Sequence, residues 1–374
     1  MPDPIRIVQV NAAFDPAAKS ADALLDLYTT LTEWSAAMSE SGARVVVCQR
    51  FHADARVERD DVIYDFVKEN FERAVVRHPA DVIHVNGLVF PQLVGRIRRT
   101  VGDGPAIVVQ HHGGEFPVRG SGPVGAWRRM RWRDGLSAAD AVSFTSADQA
   151  VPWRDAGVLG NQQVLEIVEA STTLRLVARE RARAAASVSG DPLILWVGRL
   201  TANKDPLTVL DGLEQALPHL PGASVVMVFG SGDLTADVTG RVRSSAVLGP
   251  RVTLAGQVPH AEMPNYYSAA DVFVSGSHSE GSGYALIEAL SAGVVPVVTD
   301  IPPFRVIAGR CGARWAPGDA RSFATALLDV CARDAVSERD QVKAHFERVL
   351  RWDAIANRTL AAYRELSARK RRPA

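Results

Sequence analysis

The stretch HSEGSGYALIEALSAG, residues 278–293, places two carboxylates, Glu280 and Glu288, around an otherwise uncharged run. A strand-like segment, DVFVSGS (271–277), precedes it, and Gly293 closes it before a new apolar run from Val294. The pattern predicts a helix starting near Gly283, with Ser279 or Ser282 as its cap. The backbone N–H groups of Gly283, Tyr284 and Ala285, at the positive end of the helix dipole, then suit a phosphate. The glycines let a ligand approach the backbone. Glu280, before the helix, can accept hydrogen bonds from sugar hydroxyls. Glu288 lies about two turns further on, rotated by roughly 80°, and reaches hydroxyls at another part of the same ligand. A phosphate site flanked by two acids for diols suits a nucleotide sugar. The plainer alternative makes Glu280 an ordinary acid at a helix start and Glu288 a solvated surface group. Glu288, however, stands between Ile287 and Ala289, and a buried glutamate needs a partner.

Other candidates also follow apolar runs. Arg199 and Lys204 sit in the loop after LILWVG (193–198), where cations can reach a ligand; the alternative is an exposed pair on a turn. His112 follows AIVVQ (106–110) and precedes Gly113 and Gly114, with His111 beside it. Successive strand residues face opposite ways, so one of these two histidines points into the fold. His84 and Asn86, in IHVNG, are candidates for the floor of a cleft. Glu115 is either an acceptor-side group or a loop acid. VFGSGD (228–233) is either a nucleotide-side loop or an ordinary strand-to-helix turn. Glu169 and Ser171 either line the cleft or end a strand, and the second is the plainer reading.

These positions require strands covered on both faces. IRIVQV (5–10), ARVVVCQ (43–49), DVIHVNG (81–87), AIVVQ, AVSFTS (141–146) and QVLEIVEAS (163–171) are continuous apolar runs, many followed by helical patterns. Such alternation argues for a parallel α/β sheet. The charged, alanine-rich LRLVARERARAAASVSG (174–190) reads as a linker or linker helix. A second series follows: LILWVG, VVMVFGSG (225–232), VTLAGQV (252–258), DVFVSGS and VVPVVTD (294–300). The expected division is an N-terminal Rossmann-like acceptor domain (1–173), a linker (174–191), a C-terminal Rossmann-like nucleotide-sugar domain (192–335), and bridging helices with a basic tail (336–374). Two doubly wound domains facing each other across a cleft bind ligands at the carboxyl ends of their strands.

The chain has 374 residues, 47% of them hydrophobic, which suits two domains with full cores. Its net charge is zero, so no nucleic-acid surface is expected. Cys48, Cys311 and Cys331 have no metal or redox spacing and read as plain thiols. The start, MPDPIRIVQV, does not resemble a signal peptide, and no run is long enough to span a membrane. A cytoplasmic protein is expected. No Asp-x-Asp follows a strand and no histidines and carboxylates stand at ligand spacing, so neither metal nor cofactor is expected. The basic AWRRMRWRDGLSAAD (126–140) reads as a solvated helix packing Trp127 or Trp132 inward, and peripheral membrane contact is not indicated. No Gly-x-Gly-x-x-Gly follows IRIVQV, which argues against a dinucleotide oxidoreductase.

SEGSGYALIEALSAGVVPVVTD resembles the glutamate–seven residues–glutamate signature of the GT-B glycosyltransferases of family 4. LILWVGRLTANKDPLTVLDGL (193–213) resembles that family's other donor motif. The resemblance covers most of residues 190–350 and, more weakly, the remainder. It implies a retaining, metal-independent transfer from a nucleotide-diphosphate sugar, commonly a UDP-sugar, to an acceptor hydroxyl. It implies that Arg199 and Lys204 clamp the diphosphate. Glu280, with the amides of Gly281, Ser282, Gly283 and Tyr284, would hold the sugar, Glu288 the ribose, and the backbone near Val258 the base. A histidine in the position of His112 lies near the reaction centre in that family. The chain departs from it after the first strand: NAAFDPAAK (11–19) stands in place of the usual glycine-rich loop, so no phosphate contact is assigned to Asn11–Phe14. A nucleotide-sugar epimerase, a sugar phosphorylase and a non-catalytic nucleotide-sugar binder remain the alternatives.

Overall fold

The computed structural model describes residues 3–87, 91–114, 116, 120 and 122–371. The chain forms two compact units, one of residues 1–170 with 352–374 and one of residues 171–351.

Unit 1 is built on an eight-stranded sheet. Its strands are β1 (Arg6–Asn11), β2 (Arg44–Arg50), β3 (Ala55–Arg59), β4 (Val62–Val67), β5 (Val82–Asn86), β6 (Ala106–Gln110), β7 (Ala141–Phe144) and β8 (Gln163–Glu166), in the order β3-β4-β2-β1-β5-β6-β7-β8. All neighbours are parallel except β3 and β4. The parallel strands are the continuous apolar runs of the sequence. The β3–β4 hairpin is not one of them. It turns at Asp60 and Asp61, both with positive φ, which a two-residue hairpin turn requires. Strand β3 alternates half-buried and exposed residues at the sheet edge. Strand order reverses at β1, which pairs with β2 on one side and β5 on the other.

The last helix, Trp352–Arg371, belongs to this unit and packs on the helix Thr29–Glu40. Trp352 Nε1 donates to Glu33 Oε2 at 2.8 Å, and the Tyr363 hydroxyl lies 2.5 Å from His84 Nδ1.

Unit 2 has six parallel strands: β9 (Leu193–Arg199), β10 (Ser224–Gly230), β11 (Val252–Gly256), β12 (Val272–Ser275), β13 (Val295–Thr299) and β14 (Ala313–Trp315), in the order β11-β10-β9-β12-β13-β14. Here the order reverses at β9, between β10 and β12. Within residues 174–190, Arg179–Ala186 is helical and docks on this unit. Its Arg183 pairs with Asp271 at 3.0 Å, joined there by Arg179 and by Arg339 at 3.3 Å. The Asp271 carboxylate also accepts the Leu193 N–H, which ties the helix to the start of β9. No helix among the described residues is long and apolar enough to cross a membrane.

Candidate functional site

In an open parallel sheet the strand ends at a reversal of order part and leave a crevice for ligands. In unit 2 that point lies between β9 and β12. Arg199 ends β9 and is exposed. Its guanidinium has no hydrogen-bond or ion-pair partner among the described residues. Lys204 follows in a short 3-10 turn, Ala202–Lys204, and its ammonium pairs with Glu280, which comes after β12. Ser277 Oγ donates to the same carboxylate oxygen at 2.8 Å. The two loops are stitched further by the backbone: the His278 N–H donates to Asn203 O at 2.8 Å, and Asn203 Nδ2 donates to Ser279 O at 3.0 Å. His278 Nε2 lies 2.9 Å from Asp205 Oδ2. Motifs 76 residues apart thus form one polar cluster.

The loop after β10 closes the other side of this cluster. A Cβ on Gly232 would lie 2.2 Å from the Leu200 carbonyl oxygen, so only glycine lets this loop lie against the residue after Arg199. VFGSGD is therefore a support for the Arg199 loop.

The helix predicted near Gly283 is Tyr284–Ser291. Neither Ser279 nor Ser282 caps it. Its cap is Gly283 itself, with φ of 66°, and no side chain bonds there. A left-handed residue in that place turns the loop sharply into the helix, which glycine does without strain. Tyr284 is exposed at the helix start while Leu286, Ile287, Ala289 and Leu290 are buried. Glu288 is the half-buried acid expected to need a partner. The Tyr267 hydroxyl donates to Glu288 Oε2 at 2.7 Å, and His260 Nε2 lies 3.6 Å from Glu288 Oε1. Burial raises the Glu288 carboxyl above its usual range, although the Tyr267 hydrogen bond and His260 both oppose this. Val258 lies half-buried in the loop after β11.

Unit 1 holds a second polar cluster at its own strand ends. His112 Nδ1 lies 2.5 Å from Glu169 Oε2, and its Nε2 lies 2.6 Å from Asn86 Oδ1. Glu169 is buried, its side chain 2% exposed, and it also accepts from Gln110 Nε2 at 3.0 Å. Burial lowers the His112 pKa, but the charge and hydrogen bond of Glu169 outweigh it, so the net shift is upward. The imidazole nevertheless keeps 42% of its surface exposed. Its exposed edge opens on a cavity of about 270 Å³ lined by Asn11, Ala13, Phe14, Asp15, Leu24, Tyr28, Leu31, Gln49, Asn86 and Gly87. At its rim the Tyr28 hydroxyl donates to Asp15 Oδ2 at 2.9 Å.

The neighbouring candidates fall elsewhere. His111 turns inward, edge-on to Phe144 and Trp153, as strand alternation requires. His84 is not on a cleft floor: it is buried, stacked on Trp34 with ring centroids 4.8 Å apart, and burial pushes its pKa down to about 3. Asn86 and Asn11 do line the cavity. Glu115 lies outside the described residues. Glu169, which the sequence leaves between lining a cleft and ending a strand, lies against His112, where the packing of the sheet brings it. Trp132 packs inward on Trp153, whereas Trp127 is exposed.

One group among the described residues could supply three metal ligands: Cys48, Asp65 and His78, with ligand atoms within 4.8 Å of one another. Sequence spacing concealed it. Burial, with the charge of Asp65, holds the Cys48 thiol up at about 12, so without a bound cation the sulfur is protonated at neutral pH.

Residues 191–333 match the family model described as glycosyl transferases group 1. The chain is 26% identical over 236 residues to the GDP-mannose:cellobiosyl-diphosphopolyprenol alpha-mannosyltransferase of Xanthomonas campestris; the match covers 62% of this chain and 59% of that protein, less than two thirds of its length. Among solved structures, a sucrose-phosphate synthase from Thermosynechococcus elongatus is similar over 98% of this chain and 100% of its own, with a TM-score of 0.68 and 21% identity. An alpha,alpha-trehalose-phosphate synthase (UDP-forming) from Burkholderia vietnamiensis is similar over 100% of both chains, with a TM-score of 0.69 and 13% identity.

Proposed function

We propose that the chain is a GT-B glycosyltransferase of family 4 (glycosyl transferases group 1) and that it transfers a sugar from a nucleotide-diphosphate sugar to an acceptor hydroxyl with retention at the anomeric carbon. The observation that carries this is the cluster of Arg199, Lys204 and Glu280 at the strand-order reversal of unit 2, beside the start of the Tyr284–Ser291 helix.

Arg199 offers a two-pronged donor to the diphosphate, and Lys204 a point charge. An ammonium has three N–H groups, so Lys204 can keep Glu280 and still reach a phosphate oxygen. Negative charge grows on the leaving phosphate as the glycosidic bond breaks, and these cations with the helix dipole stabilise it. They supply the positive charge that a divalent ion would otherwise bring, which supports transfer without a metal. Glu280, fixed by Lys204 and Ser277, accepts hydroxyls of the sugar, together with the backbone of Gly281, Ser282, Gly283 and Tyr284. Glu288, steadied by Tyr267, accepts the ribose hydroxyls, and the backbone near Val258 meets the base. In unit 1, His112 is the catalytic group; Glu169 holds its Nδ1–H, and as an imidazolium it donates to a sugar oxygen when its Nε2–H exchanges Asn86 for the ligand. The acceptor belongs to unit 1, in the cavity beside His112. Leaving phosphate and acceptor share one face of an oxocarbenium-like transition state, which gives retention.

The Xanthomonas campestris relative uses GDP-mannose, as its name states, so guanosine stands beside the uridine expected from the family. Calorimetric titration with UDP- and GDP-sugars, in buffer with and without EDTA, tests donor, base and metal independence together. Binding of neither class would end this reading. Turnover with inverted anomeric configuration, read by NMR of the product, would overturn the retaining mechanism alone.

A further inference from the structure

We infer that Cys48, Asp65 and His78 of unit 1 bind one divalent transition-metal cation, with Zn²⁺ the best fit by chemistry, and that the cation clips together the three segments that carry them. Cys48 lies on β2, and Asp65 is its partner in register on β4. Partners in register project to the same face of a sheet. His78 follows the helix Phe71–Val76, and its N–H donates back to Val75 O at 3.4 Å. Val75 and Cys48 belong to one core cluster, so that helix covers the Cys48 face of the sheet. The sheet and the helix end thus bring together three ligating side chains that stand far apart in the chain. The site plays no part in the transfer proposed above, whose diphosphate clamp belongs to unit 2.

The geometry is close to that of a loaded site. His78 Nε2 lies 2.9 Å from Asp65 Oδ2, and no two of the three ligand atoms are more than 4.8 Å apart. Around a tetrahedral Zn²⁺, ligand atoms stand about 3.3–3.6 Å from one another. Cys48 is fully buried, and its sulfur has no hydrogen-bond partner among the described residues. A cysteine that only fills the core has no need of ligating neighbours, yet this sulfur faces two side chains to which it makes no bond. His78 and Asp65 keep 15% and 16% of their side chains exposed, which gives a cation a way in from solvent. Thiolate and imidazole select Zn²⁺ over Mg²⁺ and Ca²⁺, which take oxygen ligands. As the sulfur–metal bond forms, the thiol proton leaves to solvent. His78 coordinates as the neutral imidazole, its one proton on the other ring nitrogen. Thiolate and carboxylate together balance the two positive charges, so the half-buried assembly carries no net charge. Water takes the fourth tetrahedral position.

The test titrates the whole chain, first stripped with EDTA, with Co²⁺ as a coloured stand-in for Zn²⁺. One equivalent should raise the near-ultraviolet charge-transfer band of a cobalt–thiolate bond, and Zn²⁺ should then displace it. Cys48→Ala should abolish the band, whereas Cys311→Ala/Cys331→Ala, which removes the other two cysteines, should keep it. Zn²⁺ should also raise the melting temperature of the stripped protein, because it binds the folded state. His78→Gln changes a half-buried position and leaves the core in place, so it serves even if Cys48→Ala fails to fold. It should weaken Zn²⁺ binding by about 100-fold or more, the upper end of what losing even a ligand's hydrogen-bond partner costs. Absence of the thiolate band, a band that survives in Cys48→Ala, or unchanged Zn²⁺ affinity in His78→Gln each overturns the site.

Discussion

His112 is gripped at both ring nitrogens by oxygen acceptors, Glu169 Oε2 at 2.5 Å and Asn86 Oδ1 at 2.6 Å. An imidazole that faces an acceptor on each side satisfies both only when it carries both protons. The upward shift of its pKa agrees with this. Glu169→Gln keeps the shape and an acceptor but removes the charge. Burial, the largest influence on His112, then acts with much less opposition, and the pKa should fall below that of an ordinary histidine. Proton NMR titration of the imidazole measures this without any ligand. The sign for stability follows. A raised folded-state pKa contributes stability below the unfolded value, and that contribution is lost as pH rises through the folded value. Glu169→Gln should abolish this part of the pH dependence. If His112 titrates alike in both proteins, Glu169 does not hold its charge.

Arg199 and Lys204 should contribute unequally to nucleotide-diphosphate affinity. Each charge-assisted contact is worth about 1.5–3 kcal/mol, or roughly 10- to 150-fold in dissociation constant. Arg199→Ala removes an exposed, unpaired cation and should lower affinity without altering the melting temperature. Lys204→Ala also removes the Lys204 ion pair from the half-buried Glu280, so it should lower both affinity and melting temperature. Titration calorimetry with UDP and GDP, beside thermal melts, separates the two effects. Unchanged affinity in both variants would remove the clamp.

The features legible in the sequence were those that local pattern determines. Buried parallel strands such as β6 and β9 are short continuous apolar runs, and the turns after them carry Arg199, Lys204 and His112. Illegible features depend on neighbours distant in the chain. Strand β3 lies at the sheet edge with charged residues on its open face, so its hydrophobic signal is diluted. Glu169 acquires its role only because strand packing carries it beneath His112. His84 reads as a ligand-facing group because it stands near the end of an apolar strand, yet a helix 279 residues away covers it with Tyr363. The 174–190 segment reads as a linker or linker helix from its charge and alanine content, while its docking depends on distant residues: three arginines, two from its helix, converge on Asp271 and fasten that helix to unit 2.

Gly232→Ala should disturb donor binding without touching any ligand. The added Cβ would lie 2.2 Å from the Leu200 carbonyl oxygen and 2.6 Å from its carbon, both backbone atoms that cannot swing aside. The loop after β9 must then move, and Arg199 moves with it. A cost of about 1–3 kcal/mol in stability is expected, typical of overpacking. Nucleotide-diphosphate affinity should fall in parallel. Wild-type affinity in a protein that melts lower would show that the position of Arg199 is immaterial.

Glu288 offers the sharpest separation of structural from binding roles. Burial raises its pKa, so the folded state disfavours the ionised form. A raised carboxyl contributes stability below its unfolded pKa and loses that contribution as pH rises through the folded value. Glu288→Gln retains an acceptor for the Tyr267 hydroxyl and carries no charge, so relative to wild type it should gain stability as pH rises above that point. Binding should respond in the opposite sense. If Glu288 accepts the ribose hydroxyls, replacing the carboxylate weakens charge-assisted bonds worth about 1.5–3 kcal/mol. The loss should be large for UDP or GDP and nearly absent for the corresponding 2′,3′-dideoxynucleotide, which has no hydroxyls to offer. Calorimetry on the two proteins with the two ligands completes a double-mutant cycle. Equal losses for both ligands would place Glu288 outside the ribose site and leave it the structural partner of Tyr267.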